Sequence, residues 1–107
     1  MLVLETNGGL LHLFSDAREV EAQLEAVDIE NGEYEFCDEN GQRFVGELVT
    51  AVGVFRSSSF RLRPDGAPDQ AVVASILSRA RSLERQVGRF KTLDDLWRAH
   101  VTHLESS

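Results

Sequence analysis

A single cysteine, Cys37, stands among the 107 residues, so no disulfide can form within the chain. A domain of this size without that framework must hold itself together through a hydrophobic core, and such cysteine usage fits a reducing compartment. Long hydrophobic runs are also missing. The first residues, MLVLETNGGLLHLF, carry no basic stretch, and Glu5 interrupts their apolar run. That segment is too short to cross a bilayer and lacks the layout of a secretory signal, so the expected location is the cytoplasm.

Catalytic signatures are scarce too. Asn7-Gly8-Gly9 lies between two strand candidates and opens no helix, so it does not present helix N-terminal amides to a phosphate. No G-x-S-x-G elbow exists, and Ser57-Ser58-Ser59 read as a polar break with no base fixed beside them. Cys37 follows Glu33 and Glu35 at strand spacing, where carboxylates make a thiolate scarcer. His100 and His103 have the three-residue spacing at which two imidazoles can share a metal with a third ligand. His100, however, falls inside an apolar stripe, where a core-edge histidine with a hydrogen-bond partner is the simpler reading. The same reading suits His12, alone in its strand. Asp38-Glu39-Asn40-Gly41 lacks the downstream bidentate Glu of a calcium loop. The expectation is therefore no enzyme, no cofactor and no metal. An unfamiliar site built from His12, His100, His103 and carboxylates is the enzymatic alternative.

What is present is an ordinary globular composition, 42% apolar and 27% charged, at a length that suits one domain over residues 1–107. The net charge of -7 disfavours direct binding to nucleic acid, whose phosphates repel an acidic surface. That charge is uneven. Residues 1–47 hold 12 Asp/Glu against 2 Lys/Arg, net -10, whereas residues 48–107 hold 6 against 9, net +3. The densest acidic run is Asp28, Glu30, Glu33, Glu35, Asp38 and Glu39. Its plain reading is a solvated surface; its functional reading is a docking face for a basic partner. Arg79, Arg81, Arg85, Arg89 and Lys91 form a basic band on one predicted helix and its exit, placed to balance the acidic half.

The pattern along the chain is mixed. Residues 1–6 and 10–15 are strand candidates joined at Asn7-Gly8, a pair suited to the positive φ angles of a tight hairpin. Asp16 with Glu19 makes a capping box, and Ala17, Val20, Leu24 and Val27 then recur at helical spacing, predicting a helix over 17–26. Residues 33–37 alternate, with Tyr34 and Phe36 on one face, and lead through the turn at 38–41 into a strand from Gln42. Leu48 to Phe55 continues or follows that strand, and Phe60 and Leu62 alternate with Arg61 and Arg63 in the last one. Pro64 to Pro68 reads as a linker. Beyond it Val72, Val73, Ile76, Leu77, Ala80, Leu83 and Val87 predict one helix ending at Gly88. Thr92 with Asp95 starts another, carrying Leu93, Leu96, Trp97, His100, Val101 and Leu104. The expected class is α+β, an antiparallel sheet of about five strands with helices packed on one face, in the order β-β-α-β-β-β-α-α.

Over residues 10–47 the chain has a further character: Leu11-His12-Leu13-Phe14, then an acidic helix, then Leu24 through Phe36, then Asp38 and Gly41. In this layout it resembles small bacterial immunity proteins encoded beside toxins. The resemblance implies a stoichiometric inhibitor that blocks a toxin domain, often a basic nuclease, and it carries no binding residue across. The acidic run would speed association with such a partner; Tyr34 and Trp97 are candidate anchors by type, each equally placed to be core, Trp97 on the apolar stripe and Tyr34 on the face of Phe36. A small intracellular regulatory or adaptor domain, in one version a homodimer and in all versions non-catalytic, is the second reading.

Overall fold

Leu2, Val3 and Leu4 are all buried on one strand, β1 (Leu2–Glu5), of the computed structural model, which describes residues 1–49 and 59–106. Successive side chains of a strand point to opposite faces, so a strand buried at consecutive positions must lie in a sheet covered on both sides. The described sheet has six strands in the order β5-β4-β3-β1-β2-β6. The others are β2 (Leu10–Leu13), β3 (Tyr34–Cys37), β4 (Arg43–Val49), β5 (Ser59–Asp65) and β6 (Ser82–Arg85). Four helices accompany it: α1 (Ala17–Gln23), α2 (Ala26–Glu30), α3 (Gln70–Arg79) and α4 (Leu93–Ser106).

Each face has its own core. Leu2, Leu4, Leu11, Leu13 and Cys37 pack against Val73, Ile76 and Leu77 of α3 and Leu96 of α4. On the other face Val3 and Phe36 pack with Phe14, Val20 of α1 and Phe60 of β5, and Ile29 of α2 leans on the same cluster. Burying a side chain such as Val3 or Phe60 is worth about 1.5–3 kcal/mol relative to exposure. Both layers therefore contribute to holding the sheet.

The mixed α+β class and the predominantly antiparallel pairing stand as expected, and the arrangement differs in four respects. Helices cover both faces rather than one, because the odd-numbered side chains of β1 need cover as much as the even-numbered ones. The helix expected over residues 17–26 is two short helices meeting at Leu24, whose backbone is extended at φ -90, ψ 153. Val20 and Ile29 lie nine residues apart, half a turn out of phase on a continuous helix. The break is what lets both enter one core, and it turns Val27, a member of the expected stripe, outward to 52% exposure.

The third difference lies after α3. Ala80, Leu83 and Val87 suit a helix by spacing, yet the chain leaves helical geometry at Ala80 and forms a sixth strand. β6 runs parallel to β2, with Leu83 opposite Leu11, and the Arg81 N–H donates to the Gly9 carbonyl at 2.7 Å. Without β6, β2 would present an open edge of unpaired amides. Gly88 accordingly lies in a tight turn closed by Val87 and Phe90, not at a helix end. The fourth concerns Pro64, expected in a linker and found in β5, an edge strand. Pro64 and Leu62 point their backbone nitrogens the same way: proline has no N–H, and the Leu62 N–H donates to the Glu21 carboxylate of α1 at 2.7 Å. The outer edge of the sheet is thus short of free donors.

Both capping signals operate. Asp16 accepts from the Glu19 N–H at 2.9 Å while the Glu19 carboxylate accepts from the Ser15 N–H, and Thr92 and Asp95 exchange bonds at 3.1 and 3.2 Å. In the first hairpin the positive φ belongs to Gly9 and not to Asn7. The continuation expected for 50–55, with Gly53, and the serines 57 and 58 lie outside the described residues. No described helix is long and apolar enough to cross a membrane.

The β3–β4 turn docks on the start of α3. Gly41 has φ +80, its carbonyl accepts from the Asp69 N–H at 3.1 Å, and a Cβ there would stand 2.1 Å from the Asp69 carbonyl oxygen. Gly32 has a similar φ of +68 with nothing within 4 Å of its Cβ position. Gly32→Ala should therefore cost about 1–2 kcal/mol for the left-handed backbone alone. Gly41→Ala adds a backbone clash and should cost clearly more, about 3 kcal/mol or above. Denaturant unfolding of the two variants side by side checks the order, and equal costs would remove the docked turn from the account.

Candidate protein-binding surface

The six acidic positions of the sequence run do not form one patch. β3 rises about 3.3 Å per residue, so Glu33 and Asp38 at its two ends stand roughly 17 Å apart. Asp38 and Glu39 belong to the β3–β4 turn. One Asp38 carboxylate oxygen accepts from the Asn40 and Gln42 N–H groups, both at 2.9 Å, and so serves the turn itself. Glu35 points to the α3 face, where Arg79 forks onto it in an ion pair. Asp28, Glu30 and Glu33 remain at the other end, where α2 meets β3.

Around these three the fold gathers more charge. Glu5, at the end of β1, pairs in register with Tyr34. Glu25 begins α2. Burial raises the Tyr34 hydroxyl above its ordinary value, and the carboxylates of Glu5, Asp28, Glu33 and Glu25 raise it further. Loss of surrounding water, then the charge of Asp28 and a hydrogen bond with it, then the charge of Glu5, raise Glu33 as well. Among the described residues, Glu25, Asp28, Glu30 and Glu33 make no ion pair with an Arg or Lys. Glu5 is engaged by His12 Nε2 at 2.6 Å. Glu5 and Glu25 escape a reading of the linear run because they reach the site through strand pairing and the helix break.

Val27 is exposed in the middle of this carboxylate-rich end, and Tyr34 is half-buried with its ring 6.1 Å from that of Phe36. Beside Tyr34 a cleft of about 250 Å³ opens where β4 leaves β3 after only two paired positions, Phe36 with Phe44 and Cys37 with Arg43. Ile29, Phe36 and Phe44 supply apolar wall, and Glu35, Asp65 and Arg43 its charged rim.

The expected basic band is dispersed. Arg79 pairs with Glu35, while Arg85 on β6 reaches Glu19 at 2.9 Å and lies 4.7 Å above the Phe14 ring. Arg89 stacks on Phe90. Two of these arginines thus balance the acidic half inside the fold. Cys37 is fully buried, and burial, followed by the charge of Asp38, pushes its thiol up to about 12. His100 is 8% exposed and bonded through Nδ1 to Gln70 Oε1 at 3.0 Å. Trp97 packs partly buried against the α3–α4 core. Val101 and Leu104, the outer part of the expected stripe, are exposed. No three His, Cys, Asp or Glu side chains among the described residues stand close enough to hold a metal.

No family model matches the chain, and no curated protein or solved structure is similar to it.

Two outcomes follow from these environments. Cys37 should resist thiol reagents in native buffer at neutral pH and react at once after denaturation; rapid native labelling would contradict its burial. For Glu33 the folded value lies above the unfolded one, so the folded state binds the extra proton. This group's contribution to stability therefore rises as pH falls from the folded value toward the unfolded one, about 4.3. Glu33→Gln should raise the melting temperature at pH 7 and flatten the pH dependence in that window. Glu19 and Asp95 behave oppositely. Arg85 holds Glu19 low, backbone N–H groups and Thr92 hold Asp95 low, and their support is lost only at more acidic pH.

Proposed function

We propose that the chain is a non-catalytic, immunity-type inhibitor that holds a basic protein domain through the α2–β3 end. The observation that carries this reading is the set of carboxylates Glu25, Asp28 and Glu33, crowded about Tyr34, with Glu30 and exposed Val27 on the adjoining helix α2 and no described cation to balance them. Like charge held together on a surface opposes folding. A cationic partner relieves that repulsion, so the cost in the free protein becomes differential affinity in the complex. Charge alone steers encounter and sets specificity more than it sets affinity. Affinity needs desolvated anchors, and Val27, Tyr34 and the adjoining cleft supply an apolar seat for one partner side chain. An Arg or Lys of the partner suits the cleft, its stem on Ile29 and Phe44 and its head toward the Asp65 carboxylate. Asp38 and Glu39, of the original acidic run, stand outside this surface.

The test is co-purification of the tagged protein from its native cells, washed at low and then physiological salt. Wild-type chain should retain one stoichiometric basic protein. The variant Asp28→Asn, Glu30→Gln, Glu33→Gln should lose it while folding normally, and Asp38→Asn, Glu39→Gln should keep it. Retention should also weaken on acidification through the raised range of Glu33, since its protonated form offers the cation nothing. A partner held equally by the triple variant, or none held by wild type while the partner is expressed, overturns the proposal.

A further inference from the structure

A groove of about 730 Å³ lies on the α3–α4 side of the sheet, at the end away from Tyr34. Its floor is apolar, with Leu2, Leu13, Val73, Leu77, Phe90 and Leu96 along it. That volume is within the range that takes a drug-sized molecule. Its charged rim carries both signs, with Asp16, Asp38 and Glu39 against Arg89 and the Met1 ammonium on which those three carboxylates act, so charge at the rim already has partners within the chain.

The groove wall also holds His100, whose protonation pattern is dictated by its neighbours. The Glu39 backbone carbonyl can only accept, and Gln70 Nε2 donates to it at 3.0 Å. That contact fixes which end of the Gln70 amide is nitrogen, so Gln70 Oε1 is the atom that faces His100 Nδ1 at 3.0 Å. An amide oxygen can only accept, so Nδ1 must carry the hydrogen. In the neutral ring Nε2 is then left with its lone pair, a pure acceptor. Nε2 has no hydrogen-bond partner among the described residues, and no fully enclosed polar side-chain atom is left without one, so Nε2 keeps accessible surface on a residue that lines the groove. A side chain more than nine-tenths buried thus offers one unfilled acceptor to an apolar groove.

We infer that this groove binds a neutral amphipathic small molecule, an apolar body bearing a single hydroxyl or N–H that donates to His100 Nε2. Gln70 acts as the positioning residue that sets the tautomer, and the apolar floor supplies most of the affinity without choosing among ligands. The donor chooses. A molecule lacking it leaves the acceptor unsatisfied in a site partly shut off from water, and one hydrogen bond of this kind is worth about a two- to tenfold difference in affinity.

The test uses the whole chain and two matched probes, 4-butylphenol and its methyl ether, which share a body and differ in the donor. Titrations are followed by NMR on the indole N–H of Trp97, the chain's single tryptophan, whose ring lies 6.0 Å from that of His100. The phenol should bind saturably and about fivefold tighter than the ether. Side-chain ¹⁵N spectra should place the His100 proton on Nδ1 before any ligand is added. His100→Phe should bind both probes alike. Gln70→Leu, which removes the partner that sets the tautomer together with its bond to the Glu39 carbonyl, should release the proton to a mixture of both ring nitrogens and shrink the preference for the phenol. It serves where His100→Phe fails to fold. A proton found on Nε2 in the wild type, equal affinity for the two probes, or no binding of either up to its solubility limit overturns the inference.

Discussion

β1 lies between β3 and β2 and buries three consecutive side chains, Leu2 and Leu4 on one face and Val3 on the other. The rest of the architecture answers that requirement. One helical layer, α3 with α4, closes over the leucines. A second, α1 with α2 and the β4–β5 hairpin, closes over Val3 and Phe36. Neither layer is stable alone; helices of five to fourteen residues are marginal in water without a packed face. The central strand is therefore the template, and the helices are held by what they cover.

The same requirement shapes the surface. To bring Val20 and Ile29 into one core the chain breaks at Leu24, and the break turns Val27 outward among the carboxylates at the start of β3. On the opposite face, α4 lies over the sheet with Leu96 and His100 inward, leaving a groove whose wall contains a histidine with one nitrogen already engaged. The two surfaces are at opposite ends of β3 and draw on different chemistry. One is charge crowded about an aromatic, and the other is apolar space with a single acceptor.

Charge is handled differently in the two halves of β3. Glu35 and the α1 residue Glu19 are answered inside the fold by Arg79 and Arg85, which come from the basic second half of the chain. These pairs are partly exposed, so each adds little to stability; their consequence is that Glu19 and Glu35 are balanced while the carboxylates of the α2–β3 end are left without a described cation. The sequence run of six carboxylates overstates the patch at one end and understates it at the other, because linear order follows the strand while proximity follows the sheet.

The capping residues Asp16 and Thr92, the alternation of Tyr34 and Phe36, the turn at Gly41 and the mixed α+β class were determined by local sequence. Each depends on backbone chemistry within four or five residues; the burial of Cys37 does not, because alternation places it on the face of Glu33 and Glu35 and only α3 and α4 close over it. Three features were decided only by tertiary structure. Residues 82–85 became a strand because β2 offered an unpaired edge, though their spacing also suits a helix. Helices occupy both faces because β1 is buried twice. The lone acceptor of His100 exists because a turn at Glu39, a helix start at Gln70 and the last helix meet at one point. Such meetings join residues 30 positions apart, and no periodicity within a single element encodes them.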